Sequence, residues 1–151
     1  MDGIDKEILR RLQNNAKMTN AELAAEVNLS PTPCLRRVKR LEQEGYIKRY
    51  TSELDLSKVG LAISALVFVR LTVNSTENAA FFENAIQSIR RVQECSVLTG
   101  RFDYLLKVVA KDLRDYEKLI KGELADIPNV KTLETTIVLN EVDVRFDPPF
   151  D

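Results

Sequence analysis

The stretch L-S-P-T-P-C-L-R-R-V-K-R-L at residues 29–41 constrains this chain most, because it sets four cations and three evenly spaced aliphatics within one short amphipathic helix. At about 100° per residue, with Leu35 as origin, Leu35, Val38 and Leu41 form one stripe, and Arg36, Arg37 and Arg40 fall on the opposite side. One face is expected to enter a core and the other to be cationic. Ser30 can cap the helix with Pro31 at the first helical position, or Thr32 can cap it with Pro33 next. In either register the missing proline N–H is no loss, since first-turn amides lack an intrahelical acceptor. No Asp or Glu occurs within 29–41, so the outer face is a field of one sign, which attracts a phosphate backbone. An ordinary solvated helix face would interleave acids with these bases.

Two helices precede it. Ile4, Ile8, Leu9 and Leu12 recur at helical spacing behind Asp2 and Asp5, giving a first helix that ends near Asn14 or Asn15. Thr19 and Glu22 form a capping box, and Leu23, Ala24 and Val27 make a short second helix that stops at Asn28. Gly45 ends the basic helix. Three short helices, the last two joined by a tight turn, describe a helix-turn-helix unit. Beyond Gly45, the residues Tyr46, Ile47 and Tyr50 with Lys48 and Arg49, followed by T-S-E-L-D-L, read as a strand or small hairpin, a wing or a hinge. The composition shifts near 56–60, so the chain divides into a helix-turn-helix DNA-binding domain at 1–50, a hinge strand at 51–60 and a second domain at 61–151.

In the second domain every odd position from Ile63 to Val73 is apolar, which commits one face of a strand to a core. The even face mixes Ala62, Leu66 and Phe68 with Ser64, Arg70 and Thr72, a pattern better matched to cover by another subunit than to water. Residues 75–89 read as a helix through Ala79, Phe82, Ile86 and Ile89. Residues 92–99 and 104–110 read as strands joined by G-R-F-D, in which Gly100 permits a backbone conformation other residues resist. Asp112 and Asp115 open a helix carrying Leu113, Tyr116, Leu119, Ile120 and Leu124, which Pro128 and Asn129 break. Residues 130–144 are the last strand. The order strand, helix, strand, strand, helix, strand gives an α+β fold, a ferredoxin-like βαββαβ domain with both helices on one face. The open face predicts a homodimer through this domain.

At 151 residues, 44% hydrophobic and 30% charged, the chain is globular. Residues 1–50 hold 10 Lys and Arg against 7 Asp and Glu, whereas residues 51–151 hold 12 against 16, so the cationic charge is concentrated where the basic helix lies. There is no histidine, which removes the usual general base and the commonest metal ligand. Cys34 and Cys95 lie far apart with no second thiol near either, so neither a zinc site nor a disulfide scaffold is indicated, and both read as buried fillers. No metal site, catalytic residue or cofactor is expected. No apolar run approaches the ~18 residues of a membrane span, and the N-terminus opens on acids, so a cytoplasmic protein without membrane attachment is expected.

Taken together, D-x-x-D-x-x-I-L at 2–9, L-S-P-T-P-C-L-R-R-V-K-R-L-E-x-x-G-Y-I at 29–47 and T-G-R-F-D-Y-L-L at 99–106 resemble the Lrp/AsnC, or feast/famine, transcriptional regulators. The resemblance runs through nearly the whole chain. Met1 stands where the family ordinarily has Leu, and the run after Glu141, V-D-V-R-F-D-P-P-F-D, matches no assignable pattern. The resemblance implies an N-terminal winged helix-turn-helix that binds double-stranded DNA. It further implies a hinge strand and a ferredoxin-like domain that dimerises, assembles into octamers or larger, and binds a small effector, usually an amino acid. Carried across, Arg36, Arg37 and Arg40 are expected at phosphates or guanine edges, with Ser30, Thr32, Pro33 and Lys39 at the groove. Thr19, Asn20, Lys48 and Arg49 suit phosphate oxygens, which fix register rather than sequence. For an effector the resemblance points to Thr99, Gly100, Arg101, Asp103 and Tyr104, with Thr135 and Thr136 as wall residues. A zwitterion needs N–H donors for its carboxylate and an anion for its ammonium, and a glycine hairpin beside Asp103 offers both. Two other readings compete: an architectural protein that wraps DNA without an effector, and a small amino-acid-binding enzyme, for which the chain supplies no convincing nucleophile and base.

Overall fold

The computed structural model describes residues 1–142, in two compact units, Met1–Glu53 and Leu54–Val142. No helix among the described residues is long and apolar enough to cross a membrane.

The first unit is three helices, α1 (Gly3–Asn14), α2 (Asn20–Glu26) and α3 (Pro31–Gln43). Both α1 and α2 begin with a reciprocal capping box: Asp2 with Asp5, and Thr19 with Glu22, so first-turn amides without helical acceptors are bonded by side chains. Asn28 takes a left-handed conformation (φ 55°) and turns the chain from α2 into α3, a geometry that asparagine tolerates. Ser30 is the N-cap of α3 and Pro31 its first residue, although the Ser30 hydroxyl makes no capping bond; the alternative start at Thr32 is not used. Gly45, at φ 77°, terminates α3.

The core of this unit is Ile8, Leu23, Ala24, Val27, Cys34 and Leu41, with Val38 packed at its edge. The sequence-based wheel is corrected at one residue: Cys34, expected on the core side, is fully buried, whereas Leu35, also expected there, is 42% exposed. The buried stripe is then Cys34, Val38 and Leu41, whose centre lies roughly 35° around the helix from that of Leu35, Val38 and Leu41. Arg36 and Lys39 then point most directly away from the core, and Arg37 and Arg40 rotate toward α1. The strand or hairpin expected after Gly45 is not formed, since residues 46–62 carry no strand. After Tyr46 and Ile47, whose N–H groups bond the Leu41 carbonyl, the backbone continues without a ladder partner among the described residues.

Asp5 is the one buried charged residue among those described, 1% exposed. Burial by itself would raise its carboxyl, but the Asp2 backbone N–H and the Arg37 guanidinium outweigh that and hold it below the ordinary value. The exposed Asp2 carboxyl, bonded first by the Asp5 N–H and then by Arg37, is lowered from 3.8 to about 2. A carboxylate with a depressed folded-state pKa stabilises above its unfolded pKa and loses that contribution as pH falls through the folded value. The helical signal of the first unit is therefore expected to melt at progressively lower temperature from about pH 4 down to about pH 2. Circular dichroism melts across that range, with Asp2→Asn as the comparison, check this: the variant should lose less stability on acidification than the native chain.

The second unit is β1 (Ile63–Leu71), α4 (Thr76–Gln87), β2 (Val92–Val97), β3 (Tyr104–Ala110), α5 (Leu113–Lys118) and β4 (Val130–Ile137). All pairings are antiparallel and the strand order is β2-β3-β1-β4, the ferredoxin-like arrangement. Ala65, Val67, Val69 and Leu71 from β1 and Tyr104, Leu106 and Val108 from β3 meet Phe82 and Ile86 of α4 in one core. Phe82 and Tyr104 stack with ring centres 4.6 Å apart. Helix α5 widens into a π-helical stretch at Leu119–Leu124, where the Ala125 N–H bonds the Ile120 carbonyl, five residues back. On a continuous α-helix, Leu119 and Leu124 would lie about 140° apart; the wider turn lets both be buried. The last strand stops at Ile137, shorter than the expected 130–144, and the end of that expected strand and most of the tail after Glu141 lie outside the described residues. Cys95 is exposed on β2 rather than a buried filler, while Cys34 fills the core as expected.

Candidate functional site

The first candidate surface is the outer face of α3. Ser30, Thr32, Arg36 and Lys39 are exposed at this face, and Pro33 is half-buried. Among the described residues Arg36 and Lys39 have no ion-pair or hydrogen-bond partner, and neither do Lys48 and Arg49, which lie exposed after the helix. Arg37 and Arg40 stand apart from them. The Arg37 Nη1 donates to Asp2 at 2.7 Å and to Asp5 at 2.8 Å, and the Arg40 Nη2 donates to Asp5 at 2.5 Å. Arg40 also lies 3.9 Å from Glu44. Two of the four cations are thus engaged inside the protein.

Thr19 and Asn20 are likewise occupied. The Thr19 hydroxyl donates to Glu22 at 2.8 Å and accepts from the Glu22 N–H at 3.3 Å, and the Asn20 amide donates to the Pro31 carbonyl at 2.8 Å. That last bond ties the first turn of α2 to the first residue of α3, an orienting role within the helix-turn-helix.

The second candidate surface is the β2–β3 connection. Thr99, Gly100 and Arg101 are exposed at its tip, and Gly100, at φ 117°, occupies a region that side-chain-bearing residues rarely adopt. Arg101 reaches Glu134 of β4 at 3.3 Å and lies over the Phe102 ring, 5.0 Å from its centre. Asp103 faces inward: its carboxylate accepts from the Leu71 N–H and from the Asn74 side chain, both at 2.7 Å. Its backbone N–H bonds Val69, and its carbonyl accepts from Leu98. Asp103 therefore closes the end of β1 against the loop.

Tyr104 is buried, and its hydroxyl bonds Glu83 of α4 at 3.0 Å. Burial first, then Glu83, pushes its phenol up to about 12, so it is a protonated donor in the core. Thr135 pairs with Val67 and Thr136 with Leu66, so the two threonines point to opposite faces of the sheet. Thr136 shares the open face with Arg101's partner Glu134; Thr135 is on the helix side. Sequence reasoning missed Asp2 and Asp5 as partners of α3, Asn74 as the partner of Asp103, and Glu134 as that of Arg101. Only Asp2 and Asp5 carry a local signal, as helix caps, and nothing local connects residue 5 with residue 40.

Both domains match known protein families. The family model for a winged helix-turn-helix DNA-binding domain matches residues 1–48, and that for the Lrp/AsnC ligand binding domain matches residues 64–146. The chain is 42% identical over 144 residues to the leucine-responsive regulatory protein of Escherichia coli K12, covering 94% of this chain and 87% of that protein. It is equally similar to the Klebsiella pneumoniae protein of the same name. A transcriptional regulator from Neisseria meningitidis, solved as a complex with L-methionine, superposes with a TM-score of 0.91 at 32% identity, covering 99% of this chain and 96% of that one. An AsnC family regulator from Agrobacterium tumefaciens gives 0.88 at 32% identity, covering 99% and 97%. With both domain models matched in order and relatives aligned along nearly its full length, the chain belongs to the Lrp/AsnC family of transcriptional regulators.

Proposed function

We propose that this protein is a sequence-specific DNA-binding regulator in the cytoplasm whose hold on DNA, or whose assembly, responds to a small amino acid. The observation that carries the reading is the acid-free outer face of α3, on which Arg36 and Lys39 stand without a partner among the described residues. Thr32, Arg36 and Lys39 read the major groove, and Lys48 and Arg49 meet phosphates. A similar regulator crystallised with L-methionine supports an amino acid as effector. Thr99, Gly100 and Arg101 form the effector's anchoring loop, with Thr136 on the same side of the sheet as Glu134.

The chain works as a homodimer through the open face of its sheet, and dimers assemble further. Leu66, Phe68, Phe102 and Leu105 are half-buried apolar residues of that face and its loop, with the Phe68 and Phe102 rings 5.3 Å apart. Selection and sequencing of genomic fragments bound by the full chain, with and without a mixture of amino acids, tests the whole reading. A few imperfectly palindromic promoter sites whose enrichment shifts with the mixture are expected. Broad enrichment that no amino acid alters would point instead to an architectural protein.

A site-directed test of the loop needs care, because Asp103 has structural bonds. Asp103→Ala leaves the Leu71 N–H and the Asn74 amide without their acceptor, and loss of a hydrogen bond to a charged group costs about 1.5–3 kcal/mol. The second unit of the variant should melt earlier, and amino-acid binding measured by calorimetry below that melt should be retained. Loss of binding in a variant with native stability would make Asp103 a direct ligand.

A further inference from the structure

We propose that Asp2 and Asp5 are positioning residues for DNA recognition: by holding Arg37 and Arg40 against α1 they set the rotation of α3 and leave Arg36 and Lys39 as its DNA-directed cations. This rests on the reading of α3 as the DNA-contacting helix.

The cluster joins two carboxylates and two guanidiniums. Arg37 bridges Asp2 and Asp5, Arg40 takes the other oxygen of Asp5, and the Asp2 and Asp5 backbone N–H groups each bond the other residue's side chain at 3.0 and 2.9 Å. Asp5 is 1% exposed, whereas Arg37 is 25% and Arg40 46% exposed. The charges cancel locally, so this pair of arginines adds little to the field that DNA meets. A phosphate that took Arg37 would strip a buried carboxylate of one of its two counter-ions, an exchange disfavoured by desolvation. Arg36 and Lys39 are under no such constraint.

The geometry also explains why a cation-rich helix keeps one orientation. Arg37 and Arg40 sit three residues apart on the flank of α3 facing α1, and both converge on the first turn of α1. Rotating α3 to bring them outward breaks all three of these ion-pair bonds. The acids thus make the helix a reader with two outward cations rather than a general polycation.

The test is a salt titration of DNA binding by the full chain, read by fluorescence anisotropy on a selected site and on a random duplex. Each phosphate that the protein ceases to neutralise flattens the slope of log K against log salt by about 0.9 per bound domain. Arg36→Ala and Lys39→Ala should each flatten the slope by about that amount. Arg37→Ala and Arg40→Ala should weaken binding to the selected site while leaving the slope at its native value, which removal of a phosphate-neutralising cation would not do. Asp5→Asn and Asp2→Asn should steepen the slope and lower the preference for the selected site over random DNA several-fold. If Asp5→Asn fails to fold, Asp2→Asn, at the exposed member of the cluster, carries the same expectation. A slope flattened by Arg37→Ala or Arg40→Ala as much as by Arg36→Ala overturns the proposal, as does a native slope and preference in the two Asn variants. If none of the four helix variants changes the slope, the underlying assignment of α3 to DNA is what fails.

Discussion

Asp5→Ala is expected to lower the stability of the first unit by about 3 kcal/mol, the low end of the 3–5 kcal/mol found when one partner of a buried ion pair is removed. The low end applies because Arg37 and Arg40 reach water over 25% and 46% of their surface, so they are partly resolvated once the carboxylate is gone. The loss has two sources that reinforce each other. Alanine removes the acceptor of both guanidinium bonds, and it removes the half of the capping box that bonds the Asp2 N–H. For a unit of this size, 1 kcal/mol corresponds to about 4–8 °C of melting temperature, so the helical melt should fall by roughly 10–25 °C. Urea unfolding followed by circular dichroism measures it. A loss within about 0.5 kcal/mol, the scale of an ordinary surface substitution, would show that helix packing through Ile8, Leu23 and Leu41 holds α3 in place without the cluster.

Phe68→Asp is expected to convert the proposed dimer into monomers at concentrations where the native chain is dimeric. Phe68 lies on the central strand β1, opposite Leu105 on one side and Glu134 on the other. Its ring packs against Phe102 on the face away from the helices. In a two-fold interface each substitution acts twice. Removing two partly buried aromatic rings forfeits about 1.5–3 kcal/mol each, or roughly a hundredfold or more in dissociation constant, before the burial of two new carboxylates is counted. The fold itself should survive, because Val67 and Val69 alternate to the other face and keep the core with Phe82 and Leu106. Sedimentation or gel filtration with a circular dichroism control reads the result. A variant that elutes with the native chain would place the interface elsewhere than this face.

Much of the architecture was legible locally. The capping boxes at Asp2 and Thr19, the proline at the start of α3 and the glycine at its end are short-range signals, because helix termini are satisfied by residues within three or four positions. The odd positions of β1 reported the core face directly, and the strand and helix order named the second domain. Three expectations failed because no such signal bears on them. Residues 46–56 are rich in strand formers, yet a strand exists only where another strand supplies a ladder, and none among the described residues does. Alternation carries the last strand through residue 144, but its pairing with β1 ends with Ile137 opposite Ala65. Residue type assigns Cys95 to the interior, although it sits on the edge strand β2.

The candidate sites divide in the same way. Composition and periodicity suffice to establish that a single-sign cationic helix stands on a three-helix unit, that a glycine hairpin precedes β3, and that one sheet face mixes apolar with polar residues. Which cations face outward unpaired is settled by packing. The rotation of α3 depends on whether Cys34 or Leu35 completes the buried stripe with Val38 and Leu41, a difference of roughly 35° that the aliphatic spacing left unresolved. Long-range partners then select among polar residues: Asp5 takes Arg37 and Arg40, Leu71 and Asn74 take Asp103, and Glu83 takes Tyr104. Each of these pairs spans more than a dozen residues, and a hydrogen bond across that distance is set by how the elements pack, which side-chain pattern alone does not encode.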